Sequence, residues 1–144
     1  MPIWKLIDLS MRLPEDEAVR ELLLPAIGAP TDANVDAILA RYGGDPSWAL
    51  LGYEWGGVPV GCIGLSIGPR GEAVIRHIAV LPARRREGIG ASLVRDALRA
   101  FGITVLTAET DGSAVGFYRR CGFVTRSLGE LYPGVERFSC RLVT

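Results

Sequence analysis

Apolar positions recur along the chain with the period of a helix in four segments and with the character of strands in seven others. The first helical segment follows Pro14, and the second follows Thr31. The third runs from Gly90 to about Phe101, and the fourth surrounds Tyr118. The predicted strands cover residues 3–9, 48–55, 58–67, 73–81, 104–109, 123–128 and 136–143. The order β-α-α-β-β-β-α-β-α-β-β predicts a mixed α/β domain, in which the unit 73–109 contributes a parallel pair of strands.

Glycines mark several of the boundaries between these segments. Gly56 and Gly57 separate two strands by a two-residue loop that can adopt positive φ, which predicts a β-hairpin. Gly102 follows the third helix at the position where a left-handed residue commonly ends a helix. The turns are therefore as clearly signalled as the elements they connect.

Composition limits the classes of function. The chain has 144 residues, which is the size of one domain, 1–144. Its 16 basic and 16 acidic side chains give no net charge, so no overall electrostatic potential favours nucleic acid. Three cysteines without paired spacing and a single histidine argue against a disulfide framework and a metal site. No signal peptide or membrane-spanning run is evident, and a cytoplasmic protein is expected.

The segment RRREGIGASLV, residues 84–94, has the features of an anion site. The first amides of a helix lack intrahelical partners, and glycines at 88 and 90 let an anion approach the backbone. A P-loop is excluded because no Gly-Lys-Ser/Thr triplet is present. A dinucleotide fingerprint is matched only in part, because Leu93 stands where glycine or alanine is needed, although Glu109 is near the position of its ribose-binding acid. On the residues alone, a phosphate cradle is predicted.

Two blocks of sequence resemble the GNAT superfamily of acetyl-CoA-dependent N-acetyltransferases. The pattern Gln/Arg-x-x-Gly-x-Gly/Ala falls on Arg85, Gly88 and Gly90, and AVGFYRRCGF is similar to the family block that ends in Tyr-x-x-x-Gly-Phe. The order and separation of the blocks also match, so the resemblance covers nearly the whole chain. It implies a GNAT fold: a central, mostly antiparallel sheet with splayed parallel strands four and five, flanked by about four helices.

The resemblance implies acetyl-CoA as co-substrate, with no metal, and a set of residues that bind it. Backbone groups of the first splayed strand would contact the pantetheine, and amides of 86–91 would hold the pyrophosphate. One amide near Ile78 to Val80 would polarise the thioester carbonyl. The implied cofactor-binding residues are Ile78, Ala79, Val80, Arg85, Arg86, Glu87, Gly88, Ile89, Gly90, Ala91, Asp111, Ala114 and Tyr118. Arg84 and Arg86 are left open as contacts of the 3′-phosphate or as solvated side chains.

The resemblance also implies the acid and the base. Tyr118 would protonate the departing thiolate, for which an ordinary tyrosine pKa near 10 is well matched. Glu72 and His77 are alternative bases; the acid at the position of Glu72 has that role in ribosomal-protein N-terminal acetyltransferases, which the strand EAVIRHIAV resembles. Strand alternation places these two residues on opposite faces unless a bulge intervenes.

Some expectations stay open in the sequence. Asp111 stands where the family often has asparagine, and it can cap the last helix and accept a hydrogen bond but cannot donate one. The acceptor is expected to be an amine of a small molecule or peptide, and no nucleic-acid or membrane partner is expected. A homodimer is left open. The rival hypotheses are a CoA-binding regulatory module without turnover and, more remotely, a dinucleotide-binding domain.

Overall fold

The computed structural model describes residues 4–144 and has the predicted order of strands and helices. The strands are β1 (Ile7–Asp8), β2 (Trp48–Trp55), β3 (Val58–Ile67), β4 (Glu72–Val80), β5 (Val105–Asp111), β6 (Val124–Tyr132) and β7 (Val135–Val143). The helices are α1 (Glu17–Leu23), α2 (Asp32–Gly44), α3 (Ile89–Phe101) and α4 (Val115–Arg120). None of the helices within residues 4–144 is long and apolar enough to span a membrane.

All seven strands form one sheet in the order β1-β2-β3-β4-β5-β7-β6. Only β4 and β5 are parallel, and every other neighbouring pair is antiparallel. The predicted fold class, including the parallel fourth and fifth strands, is therefore confirmed.

Local chemistry sets the ends of the helices as the sequence predicts. The Thr31 hydroxyl accepts a hydrogen bond from the Asn34 amide at 3.2 Å and caps α2, and Gly102, with φ of 57°, ends α3. The first helix begins later than Pro14, because the Asp16 carboxylate accepts from the Ala18 amide at 2.9 Å and caps α1.

The first strand is much shorter than predicted. Its beginning falls outside the described residues, and only Ile7 and Asp8 pair with β2. The Asp8 carboxylate then accepts a hydrogen bond from the Ser10 amide at 2.9 Å, and this side-chain contact turns the backbone away from the sheet.

The helices cover the sheet unequally. Side chains of α3 and α4 pack on one face in a cluster that extends across the sheet to Cys140 on β7. The opposite face carries α1 and α2, whose cluster reaches Leu50 on β2 and Cys62 on β3. Among the described residues, that second cluster includes none from β5, β6 or β7. The part of the sheet formed by these three strands therefore has one face without a helix over it.

Candidate active site

The two parallel strands pair over a short distance and then separate. Glu72 to Val74 of β4 pair with residues 105–107 of β5, and no further pairs join these strands. A cavity of about 1220 Å³ opens beyond this point. Its walls are the later part of β4, the end of β5, the start of α3 and α4.

The loop before α3 presents a run of unpaired amides to this cavity. Within residues 4–144, the amides of Arg86, Glu87 and Gly88 donate no backbone or side-chain hydrogen bond. Residues 89–91 form the first turn of α3, where amides have no intrahelical acceptor. Arg86 and Gly88 both have left-handed backbone, with φ of 69° and 78°, which turns successive amides toward one side. The unpaired amides of this loop are the ones in which the sequence predicts an anion cradle.

The two glycines of the loop have different structural roles. A Cβ atom added at Gly88 would meet no heavy atom within 4 Å, so this position faces open space. A Cβ atom at Gly90 would lie 2.9 Å from Cε1 of Phe117, so the absence of a side chain there allows α4 to approach α3. Gly90 therefore allows α3 and α4 to pack closely, in addition to leaving the backbone amides open to an anion.

The arginines of the loop are not equivalent. Arg84 pairs with Glu87 at 3.5 Å, and its guanidinium carbon lies 5.9 Å from the ring centre of Trp4 and 5.4 Å from that of Trp55. Arg85 and Arg86 are exposed and also line the cavity. They have no ion pair with any described residue, so their charge is available to an anion in the loop.

The edge of β4 beyond the separation is also unpaired. Leu81 donates its amide to the Val60 carbonyl at 2.9 Å, which fixes the alternation of the β3–β4 hydrogen bonds. By that alternation, Ile78 and Val80 direct their amides and carbonyls away from β3, toward the gap beside β5. Ala79 directs its own backbone groups to β3. The backbone donors available in the gap therefore belong to Ile78 and Val80.

Tyr118 is both a packing residue and a wall of the cavity. Its ring meets the rings of Phe117 and Phe123 edge-to-face, with both pairs of centroids 5.2 Å apart. Its hydroxyl has no hydrogen-bond partner in residues 4–144. In that part of the chain, every fully buried side-chain nitrogen or oxygen has a hydrogen-bond partner. The unpartnered hydroxyl of Tyr118 is therefore accessible, and it opens to the cavity that Tyr118 lines. Ala114, just before α4, lines the same wall.

The pKa of Tyr118 differs from the sequence-based expectation. Burial of the phenol raises the pKa to about 12, with smaller contributions from Cys140 and Cys121. The expectation of an ordinary tyrosine pKa near 10 is therefore wrong. Tyr118 keeps its proton throughout the neutral range. It can donate that proton, although transfer to a thiolate is less closely matched than expected.

His77 is held by a residue of α2. The Tyr42 hydroxyl and His77 Nδ1 are 2.5 Å apart, and no other acceptor for that hydroxyl exists among the described residues. Tyr42 is therefore assigned as the donor and Nδ1 as the acceptor, which leaves the ring proton on Nε2. Burial, together with the charge of Arg76, lowers the pKa of His77 to about 4. His77 is thus a neutral side chain that presents an N–H group.

This neutral histidine should make stability depend on pH. The unfolded chain binds a proton at His77 near pH 6.5, whereas the folded chain binds it only near pH 4. The folded state therefore loses stability relative to the unfolded state as pH falls from about 6.5 to about 4. We expect the free energy of unfolding to decrease by about 2 kcal/mol between pH 7 and pH 5 through this group. Urea unfolding of wild type and His77→Gln at both pH values tests this expectation. An identical pH dependence in the two proteins would contradict it.

The bulge that the sequence left open is present in β4. The register with β3 shifts between Ile75 and His77, so Arg76 is an extra residue and the side-chain alternation is reversed beyond it. Glu72 and His77 consequently share the face that α2 covers in part. They are not brought together, because five residues of strand separate them by about 15 Å. Glu72 lies beside the closed end of the β4–β5 pair and does not line the cavity.

Asp111 is placed at the end of β5 and has a different local role from the one predicted. Its carboxylate accepts from the Ser113 hydroxyl at 2.5 Å and from the Ser113 amide at 2.9 Å. These bonds, led by that of the hydroxyl, lower the pKa of Asp111, and the charge of Arg137 adds to the effect. The predicted cap of α4 was wrong, because Ala114 occupies the cap position and no side chain caps that helix. The carboxylate nevertheless lines the cavity.

Glu109 is a charged residue of the cavity to which sequence reasoning gave no catalytic or acceptor role. It lies on β5 two residues beyond the last pair with β4, and its side chain is exposed on the face without a helix. The alternation of buried Leu106, Ala108 and Thr110 with outward Glu109 was visible in the sequence. The sequence could not indicate which face of β5 would stay uncovered.

Comparisons with solved structures agree with the fold. A protein from Desulfovibrio desulfuricans assigned to the GNAT family has the same fold, with a TM-score of 0.78, 23% identity, and coverage of 98% of this chain and 99% of that one. The ribosomal-protein-S18-alanine N-acetyltransferase from Escherichia coli aligns with a TM-score of 0.73, 18% identity, and coverage of 98% and 94%. The Bacillus subtilis acetyltransferase in complex with CoA aligns with a TM-score of 0.72, 18% identity, and 99% coverage of both chains.

Sequence comparisons give the family directly. A search of curated proteins gave no match. The model of the acetyltransferase (GNAT) family matches residues 16–123, which include both the glycine loop and Tyr118. The chain belongs to the GNAT family of acetyltransferases.

Proposed function

We propose that this protein is an N-acetyltransferase that transfers the acetyl group of acetyl-CoA to a primary amine of a small molecule or peptide. The observation that carries the proposal is the run of unpaired amides at 86–91 in the wall of the cavity where β4 and β5 separate. Acetyl-CoA has a pyrophosphate for such a cradle and a pantetheine arm for an unpaired strand edge. The Bacillus subtilis relative in complex with CoA supports this choice of ligand.

The binding roles follow from the positions of the backbone groups. The loop from Arg86 to Ala91 would hold the pyrophosphate by its amides, with the Arg85 and Arg86 side chains adding positive charge. The backbone of Ile78 and Val80 would pair with the pantetheine amides in the gap left by β5. Asp111 and Ala114 would border the pantetheine on the opposite side.

The chemical step would use groups that face the same cavity. An amide of Ile78 or Val80 polarises the thioester carbonyl while the amine nitrogen forms its bond to the carbonyl carbon. Tyr118 gives its proton to the thiolate as the carbon–sulfur bond breaks. Glu109 takes one proton from the ammonium group, which must lose it to become nucleophilic, and passes that proton to solvent. The nitrogen loses a second proton after it bonds to the carbonyl carbon, and a proton returns through solvent to Tyr118, so that the products are the amide, the CoA thiol and one proton.

The two bases indicated by the sequence are less suited to this step. Glu72 is about 15 Å along β4 from His77 and outside the cavity. His77 lines the cavity but carries its proton on Nε2, so it would act as a hydrogen-bond donor toward the acceptor. We therefore assign the proton transfer to Glu109.

Release of free CoA thiol in the presence of amines tests the function. We expect release from acetyl-CoA to depend on a primary amine, and acetyl-CoA but not NAD to raise the melting temperature. Stabilisation by NAD alone would indicate a dinucleotide-binding domain. Stabilisation by acetyl-CoA without thiol release with any amine would indicate a regulatory CoA-binding module.

A further inference from the structure

A second, smaller cavity continues the first across the uncovered face of the sheet. Its volume is about 640 Å³, and four residues line both cavities: Ile75, Arg76, Glu109 and Arg137. The second cavity extends along β7 to Ser139 and Arg141. The two cavities therefore form one depression, which starts where β4 and β5 separate and runs over the outer strands.

Glu109 lies between two arginines in this depression. It is opposite Ser139 in the β5–β7 register, while Arg137 and Arg141 are two residues to either side of Ser139. Because side chains alternate along a strand, all four side chains project from the same face. Diagonal neighbours on antiparallel strands are within reach of long side chains, so both guanidinium groups can turn toward Glu109. The small Ser139 side chain leaves space between them.

Neither arginine forms an ion pair with a described residue, although Asp111, opposite Arg137 in the β5–β7 register, is near enough for the charge of Arg137 to lower its pKa. Throughout residues 4–144, Arg137 and Arg141 have no carboxylate within 4.0 Å and donate no side-chain hydrogen bond. Arg76 differs from them, because its Nε donates to the Ser66 hydroxyl at 2.8 Å. At the β5–β7 end of the depression, the unpaired positive charge therefore belongs to Arg137 and Arg141, whereas Arg85 and Arg86 lie at the other end, in the loop before α3.

The alternation of charge indicates the chemistry of the occupant. A carboxylate such as Glu109 binds an ammonium group, and a guanidinium binds a carboxylate through two parallel hydrogen bonds. A phosphate dianion fits less well than a carboxylate, since Glu109 and the nearby Asp111 repel two negative charges more strongly than one. A peptide N-terminus supplies the ammonium but has an amide where the second charge is required.

Resting on the N-acetyltransferase function above, we propose that the acceptor is a free amino acid, or a similarly small amine that bears a carboxylate. Glu109 binds the ammonium group at the separation of β4 and β5. Arg137 binds the carboxylate, because it lines both cavities, and Arg141 adds positive charge farther along the depression.

Matched pairs of acceptors test this assignment. We would measure kcat/KM for a panel of α-amino acids, each compared with its carboxamide, with O-phosphoethanolamine as an amine that bears a phosphate. Wild type should prefer the acid by at least about tenfold, and Arg137→Gln should remove that preference by slowing the acid alone. Arg126→Gln is the matched control, because Arg126 lies opposite Ser139 on the other side of β7, outside both cavities. It should leave both rates unchanged.

The outcomes separate this proposal from the proposed function. Equal rates with acid and carboxamide, a preference for the phosphate, or an equal loss of both rates in Arg137→Gln would overturn it while the transferase stands. If no amine is acetylated, calorimetric titration of the amino acids into the CoA-bound protein decides. If the amino acids bind wild type but not Arg137→Gln, the carboxylate site is upheld and the transferase is rejected. If they do not bind wild type either, both the site and the transferase are rejected.

Discussion

Replacing Tyr118 by phenylalanine is expected to lower kcat by at least about a hundredfold, while the Kd for acetyl-CoA stays near that of wild type. The hydroxyl is open to the cavity, and its pKa of about 12 keeps it protonated at neutral pH. Without it, the thiolate must leave unprotonated or take its proton from water. The phenylalanine ring can keep both edge-to-face contacts of the native ring, so the fold should be unaffected.

The control for this substitution is Tyr132→Phe, which removes a hydroxyl from an exposed tyrosine at the end of β6. Steady-state kinetics should give unchanged kcat for the control, and thermal unfolding should give similar melting temperatures for both variants. If kcat of Tyr118→Phe were unchanged, Tyr118 would be a packing residue only. A large loss of acetyl-CoA affinity would instead indicate a role in binding.

Replacing Gly88 by asparagine is expected to raise the Kd for CoA by at least about tenfold. Gly88 has left-handed backbone, with φ of 78°, and asparagine is among the residues that tolerate this conformation. Gly88 lines the cavity beside the unpaired amides, and a side chain there would extend into open space. It would therefore compete with the pyrophosphate for the cradle.

Gly102→Asn provides the matched control at the other end of α3. Gly102 also has left-handed backbone, with φ of 57°, and a Cβ atom there would likewise meet nothing within 4 Å. The two variants should therefore have similar melting temperatures, and only Gly88→Asn should bind CoA weakly in calorimetric titration. Equal CoA affinities in the two variants would place the pyrophosphate elsewhere.

The elements that sequence patterns predicted are those whose signals are local. The hairpin at Gly56 and Gly57, the cap at Thr31 and the end of α3 at Gly102 each depend on a few neighbouring residues. The amide loop was predictable for the same reason, because a helix start next to glycines has unpaired donors wherever it lies in a fold. The fold class then followed from the order of these elements.

The features that the sequence did not give are those that depend on contacts between distant segments. The bulge at Arg76 arises from pairing with β3, and it reversed the predicted faces of Glu72 and His77. The raised pKa of Tyr118 depends on how completely the neighbouring elements cover its ring. The exposure of Glu109 depends on α1 and α2 ending over β4. None of these features can be predicted from a short stretch of residues.

Acetyl transfer itself is the most direct test of the central claim. Wild-type protein would be incubated with acetyl-CoA and the amine panel, and both products would be quantified by mass spectrometry. We expect one N-acetylated amine for each CoA released, with both products reduced together in Tyr118→Phe. Release of CoA with acetate as the other product, or no release with any amine, would contradict the account.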